Sequence, residues 1–398
     1  MGEVSARIQN LSESQTIAMA KRSRELRAEG KDIISLSLGE PDFNTPDFIK
    51  EAAKKAIDEN YSAYTPVAGY LELREAISKK FKRDNKLTYS PNQIVTSTGA
   101  KQSITNVVLS LVNPGDEVIL PAPFWVSYLE IVKLAEGVPV IIGTSIEDDF
   151  KITAEQLEGA ITDKTKLMIY SSPCNPTGSI YSREELEKLS KVIARKKDFY
   201  VISDEIYEHI NFTGEHCSLA QFEEIYEQVI TINGVSKGFA MTGWRLGYIG
   251  APEWIAKACD KMQGQITSGT CSITQRAVIA AMEADPSVTK EMCSAFEQRK
   301  EFVVSRLAAI EGMQINNPKG AFYAFPNVTN FFGKQHAAGR INNATDLCLY
   351  LLEEAEVALV TGEAFGSPNC IRISYATSME VLEDAMNRIA KALNKLEA

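Results

Sequence analysis

Six short β-rich runs, each followed by turn residues and then a helical stretch, constrain the fold of this chain more than any other feature. They are QIVTS at 93–97, EVILP at 117–121, VPVIIG at 138–143, KLMIYS at 166–171, FYVIS at 199–203 and VITIN at 229–233. Around them lie stretches with apolar residues at helical spacing, among them PDFIKEAAKKAIDEN at 46–60 and LELREAISKKFKRD at 71–84. Strand, loop, helix and strand in that order predict an α/β fold built on a mostly parallel sheet with helices on both faces. Sheets of this kind take their ligand at the carboxyl ends of the strands, so the residues after each run are the candidates for chemistry.

The texture changes from about residue 290. A long charged helix at 291–310 leads to short strands near GAFYAFP and CIRISYA, a helix around 344–356 and a final helix, which together read as a smaller α+β domain. The expected division is an N-terminal segment, 1–45, belonging largely to the small domain, a large domain at 46–298 and the small C-terminal domain at 299–398. The 42 Lys and Arg against 52 Asp and Glu leave a net charge of −10, which argues against a nucleic-acid partner. No apolar run approaches the roughly 18 residues of a membrane span, and MGEVSARIQNLSESQ lacks the apolar middle of a secretory signal. Seven cysteines without a C-x-x-C read as free thiols in a reducing, cytoplasmic setting. The three histidines show no ligand spacing, so no metal is expected.

After the run at 93–97 come Gly99, Ala100 and Lys101 at a helix start, where backbone N–H groups are free to take an anion; a purely steric use of the glycine is the alternative. Trp125 follows the run at 117–121, either to stack on a flat ring or as a core residue. Two prolines and a glycine hold Asn175 in PCNPTG after the run at 166–171. Asp204, at the end of an apolar strand, is either a solvated helix cap or a buried acid facing a cation, with Tyr207 three residues on. Last comes GVSKGFAMTGWR, which sets Ser236 and Lys237 among small and aromatic residues, eight positions before Arg245. A lone lysine is usually a solvated charge. The apolar neighbourhood and the other strand-end groups reverse that reading, because desolvation and a nearby cation lower an amine's pKa towards nucleophilicity.

Taken together, GEPDFNTP, YTPVAG, GAKQS, PAPFWVSY, NPTG, SDEIYEH, SKGFAMTGWRLGY and IRISYATS resemble the class I aminotransferases, most closely the bacterial and plastid aspartate aminotransferase branch. The resemblance runs essentially end to end. It implies fold type I, with a mostly parallel seven-stranded sheet flanked by helices in the large domain, and pyridoxal 5'-phosphate as cofactor. By the same resemblance Lys237 is the Schiff-base lysine, Asp204 faces the pyridine nitrogen, Tyr207 and Asn175 bond the ring's 3-oxygen, and Trp125 stacks on the ring. The phosphate falls to the N–H groups of Ala100 and Lys101 with Ser236 and Arg245, and to Tyr64 from a partner subunit, which implies a homodimer with shared sites. Arg372 takes the substrate α-carboxylate, Lys101 the distal one, and Gly39, Trp125 and Asn175 also border the substrate. Many relatives carry a serine three residues before the lysine, where Gly234 stands here.

The implied reaction is amino transfer from aspartate to 2-oxoglutarate. Thr16 with Lys101 resembles a pair found in relatives that also transaminate prephenate, although Thr16 reads equally as a helix cap. A β-lyase or cyclopropane-forming synthase would use the same Lys237 and Asp204; Lys101 favours a dicarboxylate and hence transamination. A nicotinamide dehydrogenase is disfavoured, since Gly243, Gly247 and Gly250 do not make G-x-G-x-x-G. The full set of strand-end groups argues against a catalytically dead regulator.

Overall fold

The computed structural model describes residues 4–13, 15–337 and 339–397. A short strand β1 (Ile34–Ser35) precedes the central sheet. That sheet holds β2 (Ile94–Ser97), β3 (Glu117–Ala122), β4 (Val138–Gly143), β5 (Thr165–Ser171), β6 (Tyr200–Asp204), β7 (Val229–Gly234) and β8 (Gly247–Gly250). Their spatial order is β2-β8-β7-β6-β5-β3-β4. All run parallel except β8, which is antiparallel to both of its neighbours. The six runs read from the sequence become the six parallel strands, with no end displaced by more than one residue.

β8 escaped the sequence reading because GYIG is half glycine, a poor strand former. Close approach requires those glycines. A Cβ on Gly247 would lie 2.2 Å from the backbone nitrogen of Ala100, and one on Gly234 would lie 2.9 Å from Gly247 Cα. The antiparallel strand thereby packs directly beneath the helix Ala100–Leu111.

Both faces of the sheet are covered. Val201 joins a core with Ile49, Leu73, Ile77, Phe81 and Val278, whereas the next residue, Ile202, joins Val107, Val108, Val132 and Ile255 on the other side. That is the period-two alternation of a strand buried on both faces. The helices behave as their sequences predict: the stretch at 46–60 forms Asp47–Asp58, and that at 71–84 forms Leu71–Asn85.

A third core gathers Leu36, Phe296, Val303, Phe322, Leu347, Leu351, Ile371, Ile373, Leu382 and Ile389. It backs a three-stranded antiparallel sheet in which Ile371–Ser374 lies between Val360–Thr361 and Tyr323–Ala324. β1 pairs in parallel with Val357–Ala358, Leu36 O accepts from Ser374 N at 2.9 Å, and Arg388 bonds Asp32. No described helix is long and apolar enough to cross a membrane.

Candidate active site

The carboxyl ends of the parallel strands and the start of the helix Ala100–Leu111 surround a cavity of about 280 Å³. Thr16, Gly39, Ala100, Lys101, Trp125, Asn175, Asp204, Tyr207, Ser236, Lys237, Arg245 and Arg372 all line it. Tyr64 does not. It is fully exposed, beside Ser62 and Gly269–Ser272 on the outer surface.

Asp204 ends β6 and is only 4% exposed, which removes the solvated-cap alternative. Its Oδ2 accepts from the Tyr128 hydroxyl at 2.6 Å and its Oδ1 from the Ile206 N–H at 3.3 Å. Burial pushes its pKa up to about 6, against the opposing pull of those two bonds. Lys237, in the turn after β7, points its Nζ at the carbonyl of Gly39 and lies 5.8 Å from the ring centroids of Tyr207 and Phe322. Burial lowers this amine to about 8; Glu40 opposes the shift, and the charges of Arg372 and Arg245 add to it.

Arg372 comes from the far side, on Ile371–Ser374, and is 2% exposed. Its Nη1 donates to Asn175 Oδ1 at 3.0 Å and its Nη2 to Ser37 O at 2.6 Å. The guanidinium lies 4.6 Å from the Tyr323 ring centroid and 4.9 Å from that of Phe365. Its Nε is buried and has no partner among the described residues. The hydroxyls of Tyr207 and Tyr323 are 2.8 Å apart.

At the opposite end Gly99, with φ of +87°, begins the helix whose first residues are Ala100 and Lys101. A side chain at Gly99 would meet Arg245 Nη2 at 2.5 Å, so the glycine lets the guanidinium lie over the helix start. Arg245 Nη1 donates to Thr242 O at 2.8 Å. The Lys101 ammonium lies 5.0 Å from the Trp125 ring centroid, and partial desolvation together with Arg245 lowers its pKa. Thr16 falls inside the helix Gln15–Ala28, and its buried hydroxyl has no partner among the described residues.

Among the lining residues not singled out from the sequence are two tyrosines. Tyr128 stands three residues after Trp125 in the first turn of Ser127–Leu134, and Tyr323 lies within GAFYAFP. Nothing local marks either; their partners are distant in the chain. Histidine spacing likewise hid a cluster behind β6, where donor atoms of Glu205, Glu208 and His216 lie within 4.8 Å of one another. The fold fills these oxygens from protein groups. Glu208 takes the Lys80 ammonium and, at 2.6 Å, the Asn85 amide. Glu205 takes Ser203 at 2.8 Å, Ser218 at 2.6 Å and His216 at 2.7 Å. With an ammonium already inside it, the cluster is a buried ion-pair network rather than a cation site.

Comparison with known proteins agrees with this architecture. The aspartate aminotransferase of Rhizobium meliloti superposes with a TM-score of 0.96 at 41% identity over 100% of both chains. That of Thermus thermophilus, solved with maleate, gives 0.92 at 38% identity over 98% of this chain and 100% of that one. The bifunctional aspartate aminotransferase and glutamate/aspartate-prephenate aminotransferase of Petunia hybrida is 47% identical over 395 residues, 98% of this chain and 82% of that one. The fold is that of a fold type I pyridoxal-phosphate-dependent transferase. Residues 31–389 match the family Aminotransferase class I and II, and the chain belongs to that family of enzymes.

Proposed function

We propose that the protein is an aspartate aminotransferase, moving the amino group reversibly between L-aspartate and 2-oxoglutarate, to give oxaloacetate and L-glutamate, by a ping-pong mechanism with pyridoxal 5'-phosphate. One observation carries the reading: a buried carboxylate (Asp204), an amine of lowered pKa (Lys237) and a buried guanidinium (Arg372) line one cavity. The residues fit the cofactor. Asp204 is a buried acid bonded, among the described residues, by the neutral Tyr128 hydroxyl and the Ile206 N–H rather than by a cation, as an acid that receives a cationic ring nitrogen should be. The Gly99 start and Arg245 make a cradle for a phosphate.

When bound, the cofactor supplies an electron sink for the charge left on the substrate's α carbon. Asp204 would hold a proton on the ring nitrogen, Tyr207 and Asn175 would bond the ring's 3-oxygen, and Trp125 would lie beside the ring. Ser236, Arg245 and the N–H groups of Ala100 and Lys101 would hold the phosphate, with Tyr64 contributed by a second subunit. Lys237 would anchor the cofactor and carry the proton to and from the substrate's α carbon; a pKa of about 8 leaves part of it as free amine near neutrality. Arg372 grips the α-carboxylate as a planar fork, with Gly39 at its rim. Lys101 takes the distal carboxylate, which favours transamination of a dicarboxylate over β-elimination.

The exposed Tyr64 supports a homodimer with shared sites. We further propose a cytoplasmic location and a small domain built from 1–45 and 299–398 around a large domain at 46–298; Leu36 and Phe331 sharing the third core supports that division. The direct test is to supply aspartate and 2-oxoglutarate and measure oxaloacetate; its absence refutes the proposal. A second reading, that prephenate is also accepted, is favoured by the buried Thr16 hydroxyl at the cavity wall, which has no partner among the described residues. Assay with prephenate and aspartate decides it, and no turnover removes it.

A further inference from the structure

Asp204 is tied to the protein by one side chain among the described residues, the hydroxyl of Tyr128, donating to Oδ2 at 2.6 Å. Tyr128 is itself fully buried and belongs to a different element, the helix Ser127–Leu134. Its ring meets Trp125 edge to face, with centroids 5.5 Å apart at 85°. Its backbone N–H donates to Trp125 O at 2.9 Å, so helix start, tryptophan and tyrosine form one unit. A carboxylate at the end of a strand has freedom about its side-chain torsions unless a second group fixes it. Here the fixing group also sets the neighbouring indole.

We propose that Tyr128 is a positioning residue for the transamination, its hydroxyl fixing which carboxylate oxygen Asp204 presents to the cavity and its ring edge setting the plane of Trp125. The inference rests on the reading of Asp204 as the partner of the cofactor's ring nitrogen. With Oδ2 engaged by Tyr128 and Oδ1 bonded weakly, at 3.3 Å, to the Ile206 N–H, Oδ1 is the oxygen left to turn towards a ligand. A buried tyrosine that merely filled space would need neither the hydroxyl nor its short contact with an acid. The other titratable groups acting on Asp204 are Glu205, Lys237, Tyr207 and Cys174, and none of them bonds its carboxylate.

Tyr128→Phe removes the hydroxyl and keeps the ring. In the holoenzyme we expect about tenfold weaker cofactor binding in equilibrium dialysis, the size of one lost charge-assisted hydrogen bond. The pH midpoint of the bound cofactor's visible absorption should shift, and kcat should fall while KM for aspartate stays within about twofold, because Arg372 and Lys101 are untouched. Unchanged dialysis and an unchanged absorption midpoint overturn the inference, as does a variant that only melts earlier with wild-type kcat. Asp204→Ala separates the two levels. If it leaves cofactor binding and the spectrum intact, the reading of Asp204 fails; if it abolishes them while Tyr128→Phe is silent, only the role of Tyr128 fails.

Discussion

On the proposed function, Lys101 and Arg372 would divide the two carboxylates of a four-carbon diacid between a point charge and a buried planar fork. Arg372 is pinned by Asn175 and Ser37 and would serve every amino acid alike, whereas the Lys101 ammonium, 5.0 Å from the Trp125 ring centroid, would serve only a second carboxylate. Lys101→Ala should therefore cost about 10–150-fold in kcat/KM on aspartate, the worth of one charged hydrogen bond, and much less on alanine. Parallel kinetics on the two substrates check this; equal losses contradict it. Asp204 gives a pH prediction of the opposite kind. Its pKa in the cofactor-free protein is raised to about 6, so below that pH protons compete with the ring nitrogen for the carboxylate. In Lys237→Ala apoprotein, where the amine with a pKa of about 8 no longer titrates, cofactor affinity should fall by up to about tenfold per pH unit below 6 and level off above 7, as read by titration between pH 5 and 8. Both residues were legible in the sequence because each stands at the carboxyl end of a β-rich run or in the turn and helix start just beyond it. Tyr128 was not, because a tyrosine in a helix declares nothing until a residue 76 positions away is brought to it.

β6 and the turn after it work on two sides. Asp204 and Tyr207 face the cavity, while Glu205 and Glu208 face a buried network with Lys80, Asn85, His216 and Ser218. Burial alone would raise the Glu208 pKa; the charges of Lys80, His209 and His216 hold it well below the usual carboxylate range. A depressed carboxylate contributes stability above its unfolded pKa and loses it only in strong acid. Glu208→Gln strands the Lys80 ammonium against a neutral amide and should cost about 3–5 kcal/mol in urea denaturation. The triple change Lys80→Met, Asn85→Leu and Glu208→Leu should recover most of it, since apolar groups then replace the ion pair together with the buried amide that bonds both of its members. A triple variant no more stable than the single one would contradict this account. Spacing sets Lys80 apart from Lys79 in LELREAISKKFKRDN, because Lys80 falls three, four and seven residues after Ile77, Ala76 and Leu73 on the face the helix buries; its partner Glu208, distant in the chain, is what the helix cannot show. β8 was illegible for a similar reason. Its two glycines answer clashes, of Gly247 with Ala100 and of Gly250 with Tyr89, that exist only after the fold has formed.

At the scale of the molecule, a homodimer with Tyr64 acting in the partner's site makes a prediction no single chain can satisfy. Lys237→Ala and Tyr64→Ala enzymes, each impaired alone, should regain activity when denatured and refolded together. A mixed dimer then holds one site with an intact lysine and an intact tyrosine from the other chain, and statistical mixing yields about a quarter of wild-type sites. No recovery on mixing would mean that Tyr64 serves its own chain. The pairing of β1 with Val357–Ala358 has a consequence of another sort. About 320 residues separate those partners, so at ribosomal speeds of about 5–20 residues per second a newborn chain waits roughly 16–65 s before its first strand can find its mate. Ile33 and Leu36 travel that interval without the neighbours that finally bury them, an opening for a holdase chaperone. Arg372 is translated later still, so the wall of the cavity that it forms arrives only after every strand of the central sheet has been made.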